Sequence, residues 1–133
     1  MAWIETIRRA ASHAMGLGDA EGRVMPKFAI LGPPASPGGS IAARYFTPLA
    51  CHEAMAVTGG ICIGSACMLP GTVADGLART AGGVREVVVI EHPTGTMDAV
   101  ITTGTDAAGM MTIAGGGTLR TARLLMAGEV YLP

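Results

Sequence analysis

Thr58-Gly59-Gly60 opens a run, residues 58–69, that carries no charged side chain. A helix begun there presents N–H groups that have no intrahelical partner, and the macrodipole adds about half a positive charge at that end. Two glycines let an anion reach those groups without side-chain obstruction, as carboxylates and phosphates do at other helix starts. The same glycines serve equally to let a neighbouring element pack close, and Thr58 serves equally as an N-cap. Arg44 lies upstream among Ala42, Ala43, Tyr45 and Phe46. Its guanidinium fork matches a carboxylate bidentately, whereas on the solvent side of a strand it is an ordinary surface residue. His52, six residues before Thr58, offers a general acid/base or a hydrogen-bond donor, or simply a place in a turn. The candidate binding set is therefore Arg44, His52, Thr58, Gly59 and Gly60, directed at a small anion.

Other arrangements carry less chemistry. Cys51 and His52 are adjacent, and neighbours on an extended segment point to opposite faces, so they do not make a thiolate–imidazole pair. Cys51, Cys62 and Cys67 form no CxxC and no zinc spacing, and no metal is expected. Cys62 and Cys67 are expected as buried, small apolar residues. His92, in Glu91-His92-Pro93-Thr94-Gly95, reads as part of a turn, and His13 carries no functional weight. Gly115-Gly116-Gly117 lacks the spacing of a dinucleotide fingerprint, and neither a phosphate loop nor a Ser/His/Asp order is present. A net charge of −1 with no basic run leaves no electrostatic footprint for nucleic acid or an anionic membrane.

The elements that must position these residues follow from periodicity. Half of the 133 residues are hydrophobic, 14% are charged and 4% are aromatic, which suits one domain whose core is aliphatic. Residues 3–15 place Ile4, Ile7, Ala11, Ala14 and Met15 on one helical face, and Gly16 and Gly18 stop that helix. Residues 25–31 and 40–46 read as strands that pair as a hairpin across a Pro/Gly/Ser loop. Residues 54–69 read as a helix surrounded by protein, its regular part starting at about Thr58 and ending at Pro70-Gly71. This run is too short and too interrupted by glycine and proline to span a membrane. A short helix over 73–79 follows. Residues 84–91 and 97–103 read as a second hairpin around His92-Pro93-Thr94-Gly95. Residues 110–114 and 130–132 are further strands, and residues 118–126 fit helix and strand equally. The fold class is α+β, a mainly antiparallel sheet wrapped around one hydrophobic helix. The N-terminus has no apolar leader core, which points to a cytoplasmic protein.

Several motifs in one order carry a family resemblance. Met15-Gly16-Leu17-Gly18-Asp19, Arg44-Tyr45-Phe46-Thr47-Pro48 and the run from Cys51-His52-Glu53 through Thr58-Gly59 are three of them. Leu69-Pro70-Gly71-Thr72, Glu91-His92-Pro93-Thr94-Gly95 and the ending from Arg120-Thr121-Ala122-Arg123 to Pro133 complete the set. Together they resemble the PrpF/4-oxalomesaconate tautomerase family over nearly the whole chain. The resemblance implies one domain of a diaminopimelate epimerase-like fold, in which substrate lies between the N-termini of two central helices. It implies isomerisation of unsaturated di- or tricarboxylates by proton transfer, with no metal or organic cofactor. Residues 1–133 resemble the C-terminal half of such an enzyme.

The family's lysine/cysteine acid–base pair belongs to the other half. Lys27, the only lysine, sits in Pro26-Lys27-Phe28, and neither Cys51 nor Cys62 matches the cysteine motif. Thr58 stands where the epimerase relatives carry their second cysteine. The resemblance thus implies a substrate-holding wall whose catalytic residues are unknown here and expected in a missing N-terminal domain or an equivalent chain. The alternative is a non-catalytic or degenerate domain that binds small anions. The apolar surface left by a missing half implies self-association.

Overall fold

Alternating burial along three of the strands builds the sheet of this protein. In a computed structural model, which describes residues 2–132, Ile41, Ala43 and Tyr45 point to one side of strand β2 (Ile41–Phe46). Val88 and Ile90 of β3 (Arg85–His92) and Met97, Ala99, Ile101 and Thr103 of β4 (Gly95–Thr105) point the same way. Strands β1 (Phe28–Gly32) and β5 (Met111–Thr118) form the edges of a five-stranded sheet in the order β1-β2-β3-β4-β5. The β1/β2, β3/β4 and β4/β5 pairs are antiparallel, and β2/β3 is parallel through Ile41↔Ile90 and Ala42↔Glu91. A parallel pair requires a crossover, which helix α2 (Val57–Met68) supplies. Both expected hairpins form. The second closes tightly, with His92 opposite Gly95.

Helix α2 covers the apolar side of the sheet and packs on β3, β4 and β5. Ile63, Met55 and Met68 join Ile41, Val88, Ile90, Ala99 and Ile101 in one core. The expectation of a helix enclosed all round is corrected. Gly59, Gly60, Ile63, Gly64 and Met68 are buried, while Val57 is 47% exposed and Cys62 also faces out. The described strands cover one side of α2 only, so the absence of charge on its far side is not matched by burial. The Cys62 expectation fails for that reason. Cys67 sits between the two situations, half-buried, and burial pushes its thiol up to about 11.

Three other expectations change. Residues 73–79 form successive turns rather than a helix, and residues 119–132 have neither helix nor strand, so the strand expected at 130–132 is not there. Helix α1 (Ala2–Ala14) buries Ile4, Arg8 and Ser12, and leaves Ile7 and Met15 exposed. The buried stripe is the one that faces the chain's own return through residues 18–26. Arg8, 1% exposed, donates four hydrogen bonds there, to Glu5 Oε1 and Oε2, Ala20 O and Pro26 O at 2.7–3.1 Å.

Candidate functional site

Helix α2 starts one residue earlier than its glycines suggest. Ala56 is its N-cap (φ −71°, ψ 140°) and brings no side-chain hydrogen bond to the first turn. Gly60 N–H is already committed to Ala56 O at 2.8 Å. Past the N-cap, the N–H groups without an intrahelical partner are therefore those of Val57, Thr58 and Gly59, and Thr58 lies inside the first turn rather than capping it. Thr58 is exposed and Gly59 buried.

Both glycines have a packing reason. A Cβ at Gly59 would stand 2.6 Å from the Tyr45 ring, and one at Gly60 would stand 2.7 Å from Met97 Sδ. Their absence of side chain lets β2 and β4 approach the first turn, which fixes where its N–H groups point.

Tyr45 organises one flank of this turn. It is buried, and burial first and the nearby Cys62 second push its phenol above the ordinary range. Lys27 Nζ lies 5.8 Å from the Tyr45 ring centroid, on its π-face. The His52 imidazole meets the same ring edge-on at 6.4 Å. His52 is held at both ends, its N–H donating to Tyr45 O at 2.7 Å and its Nδ1 accepting from Ala54 N–H at 3.1 Å. With Nδ1 an acceptor, the proton of a neutral ring sits on Nε2, which is left as a donor.

The β3/β4 turn forms the other flank. Thr94 in the β3/β4 turn donates through Oγ1 to Glu53 O at 2.9 Å, which ties that turn to the segment before α2. A hollow of about 190 Å³ opens between them, lined among others by Ala54, His92, Asp98 and Arg120. His92, Asp98 and Arg120 thus join the surroundings of the helix start, a grouping that local spacing did not disclose. The signal available was the recurrence of His92 and Arg120 in the ordered motifs. A larger hollow, about 420 Å³, lies by Arg85, Val100, Thr102 and Gly115–Gly117, away from the first turn of α2.

Arg44 does not join the others. Tyr45 points to α2, so its neighbour points to the opposite side of the sheet, where Arg44 is exposed and donates through Nη1 to Ala43 O at 2.9 Å. The structure therefore brings together His52, Thr58, Gly59 and Gly60 and places Arg44 across the sheet from them. Among the described residues, no group of three or more His, Cys, Asp or Glu could hold a metal ion, and no helix is long and apolar enough to cross a membrane.

The chain that carries this helix start is similar to known proteins. The YbhH protein of Escherichia coli K12 is 44% identical over 134 residues, covering 100% of this chain and 36% of that protein. A 4-oxalomesaconate tautomerase of Pseudomonas putida is 39% identical over 131 residues, covering 97% of this chain and 34% of that protein. A 2-methyl-aconitate isomerase of Shewanella oneidensis is 34% identical over 149 residues, covering 100% of this chain and 37% of that protein. The chain thus spans about a third of the length of the curated relatives it matches. In fold it is similar to the crystal structure of a methylitaconate-delta-isomerase, with a TM-score of 0.67 at 21% identity over 89% of this chain and 36% of that one. The family model described as PrpF protein matches residues 1–133. The chain belongs to the PrpF family.

Proposed function

We propose that this chain is the substrate-holding part of a PrpF-type isomerase, and that the N–H groups of Val57, Thr58 and Gly59 receive one carboxylate of an unsaturated di- or tricarboxylate. The observation that carries this reading is the start of α2, where a helix dipole meets no side-chain cap and an exposed hydroxyl stands beside the open N–H groups. The relatives named for oxalomesaconate and methylaconitate support the substrate class.

In this reaction a base takes a proton from the carbon next to an unsaturated acid. The electron pair delocalises through the double bond to a carboxylate oxygen, and the proton returns at the far carbon. Fixed N–H donors at that carboxylate stabilise the charge as it develops. His52 Nε2 and the Thr58 hydroxyl are the neighbouring donors. The acid–base pair comes from polypeptide beyond these residues, in the manner of one domain of a diaminopimelate epimerase-like fold facing another.

The test is a single cap. Ala56 already has the extended backbone an N-cap requires, so Ala56→Asp brings a carboxylate to the same N–H groups. The variant should melt at a higher temperature, with a gain of about 1 kcal/mol. It should also lose the chemical-shift response of the Thr58 and Gly59 amides to trans-aconitate. A response that survives Ala56→Asp, or one centred elsewhere, overturns the site. For the enzyme reading, the chain is mixed with a polypeptide spanning the remaining two-thirds of a relative. If no unsaturated tricarboxylate isomerises, that reading falls while the anion site stands.

A further inference from the structure

Gly116 of β5 lies under Ile61 of α2, since a Cβ there would stand 2.6 Å from that side chain. Strand alternation from this position puts residues 118 and 120 on the same side of the sheet. The pairing that sets Thr118 opposite Ala99 carries on past the end of β5, because Leu119 N–H donates to Asp98 O at 3.1 Å. One step further, Arg120 stands opposite Met97, whose Sδ sits where a side chain of Gly60 would be. Sheet register thus brings an arginine to the first turn of α2 from far away in sequence.

Arg120 lines the hollow of about 190 Å³ beside that turn, and His92 and Asp98 line it too. The three salt bridges among the described residues join Arg8 to Glu5 and Arg9 to Asp19 and Glu21, and none uses Arg120. His92 does not compete for an anion in its neutral form. Thr94 Oγ1 gives its proton to Glu53 O and faces His92 Nδ1 at 3.4 Å, so Nδ1 is the donor of that pair. The neutral ring then leaves an acceptor at Nε2. Asp98, when ionised, opposes a carboxylate outright. Arg120 is the group in this hollow whose charge and planar fork match one.

We infer that Arg120 is a specificity residue of the site and receives a second carboxylate of the substrate in this hollow, the part that the sequence suggested for Arg44. The inference rests on the reading of the first turn of α2 as the seat of the first carboxylate. A substrate with two or more carboxylates is held at both ends, by the helix start and by the hollow beside it. One with a single carboxylate meets the helix start alone. With Arg120 removed, Asp98 is left to repel the second carboxylate.

Amide chemical-shift titrations of the full chain compare trans-aconitate with crotonate, an unsaturated acid with one carboxylate. The Thr58 and Gly59 amides should respond to both acids, with trans-aconitate bound about 10- to 100-fold more tightly. The Arg120 side-chain Nε–H should shift with trans-aconitate alone. Arg120→Gln should lower the affinity for trans-aconitate to that for crotonate and leave crotonate binding as it was. Arg120→Lys keeps the charge without the fork and should retain part of the preference. Arg44→Gln should change neither affinity. Equal binding of the two acids by the wild type, or a preference that survives Arg120→Gln, overturns this inference while the first-turn site stands. Thr58 and Gly59 amides silent towards both acids overturn the first-turn site, and this inference with it.

Discussion

The two helices among the described residues reverse the usual relation between charge and burial. Helix α1 is amphipathic, yet its fully buried side chains include Arg8 and Ser12, while Ile7 and Met15 face solvent. Helix α2 has no charge at all, yet one side of it is open. In α1 the Arg8 guanidinium holds the helix to its own following loop through Ala20 O and Pro26 O, and Ser12 Oγ adds a 2.7 Å bond to Gly18 O. In α2 glycines bring the backbone onto Tyr45, Met97 and Ala99, and dispersion with apolar burial does the holding. Burial follows what a helix is set against. A guanidinium whose three nitrogens each donate to a carbonyl or a carboxylate is as much at home inside as an isoleucine.

That contrast can be broken at graded cost. Arg8→Leu removes the donors that satisfy Ala20 O, Pro26 O and Glu5, and should cost about 3 kcal/mol of local stability. Hydrogen exchange should show the loss over α1 and residues 18–26 and leave α2 protected. Loss spread evenly through the sheet would show the two helices to be one cooperative unit. Gly59→Ala drives a methyl into a Tyr45 ring clamped by the core and should cost about 2 kcal/mol. Gly60→Ala presses on the flexible end of Met97 and touches Met55 Cγ at 3.4 Å, and the helix-propensity gain of about 1 kcal/mol should leave it near neutral. Equal melting shifts for the two would mean that Tyr45 gives way as readily as Met97.

The smallest effect concerns the Glu91 carboxylate of β3, which holds the loop after β1. Ser36 Oγ–H, Ser36 N–H and Ala35 N–H donate to the Glu91 carboxylate, and these bonds, the side-chain one first, hold it below the usual carboxylate range. A carboxylate depressed in the folded state stabilises above its ordinary pKa of 4.5, and that contribution disappears as pH falls through the lowered value. The melting-temperature gap between wild type and Glu91→Gln should therefore be constant near neutrality and close below about pH 4.5. A gap that widens on acidification would reverse the assignment.

Much of the fold is legible in the residues themselves. The uncharged run at 58–69 predicts α2, the β-branched run before His92-Pro93-Thr94-Gly95 predicts β3 and its tight hairpin, and the order of motifs points to the family. The candidate site is legible at Thr58 and Gly59, where a helix start without charge near it invites an anion. Arg44 shows the limit, since one step of strand alternation sends it across the sheet from that start. Arg120 shows the converse, brought near Ala54 by a strand pairing 22 residues downstream of Asp98.

Local chemistry by itself determined α1, α2, the two hairpins and where a backbone dipole is left bare, because those depend on neighbours within a few residues. Only the tertiary structure decided which side of α2 is covered, which face Arg44 takes and why Arg8 is inside. Each of these depends on what the sheet and the returning chain place opposite a residue, and that partner lies far away in sequence.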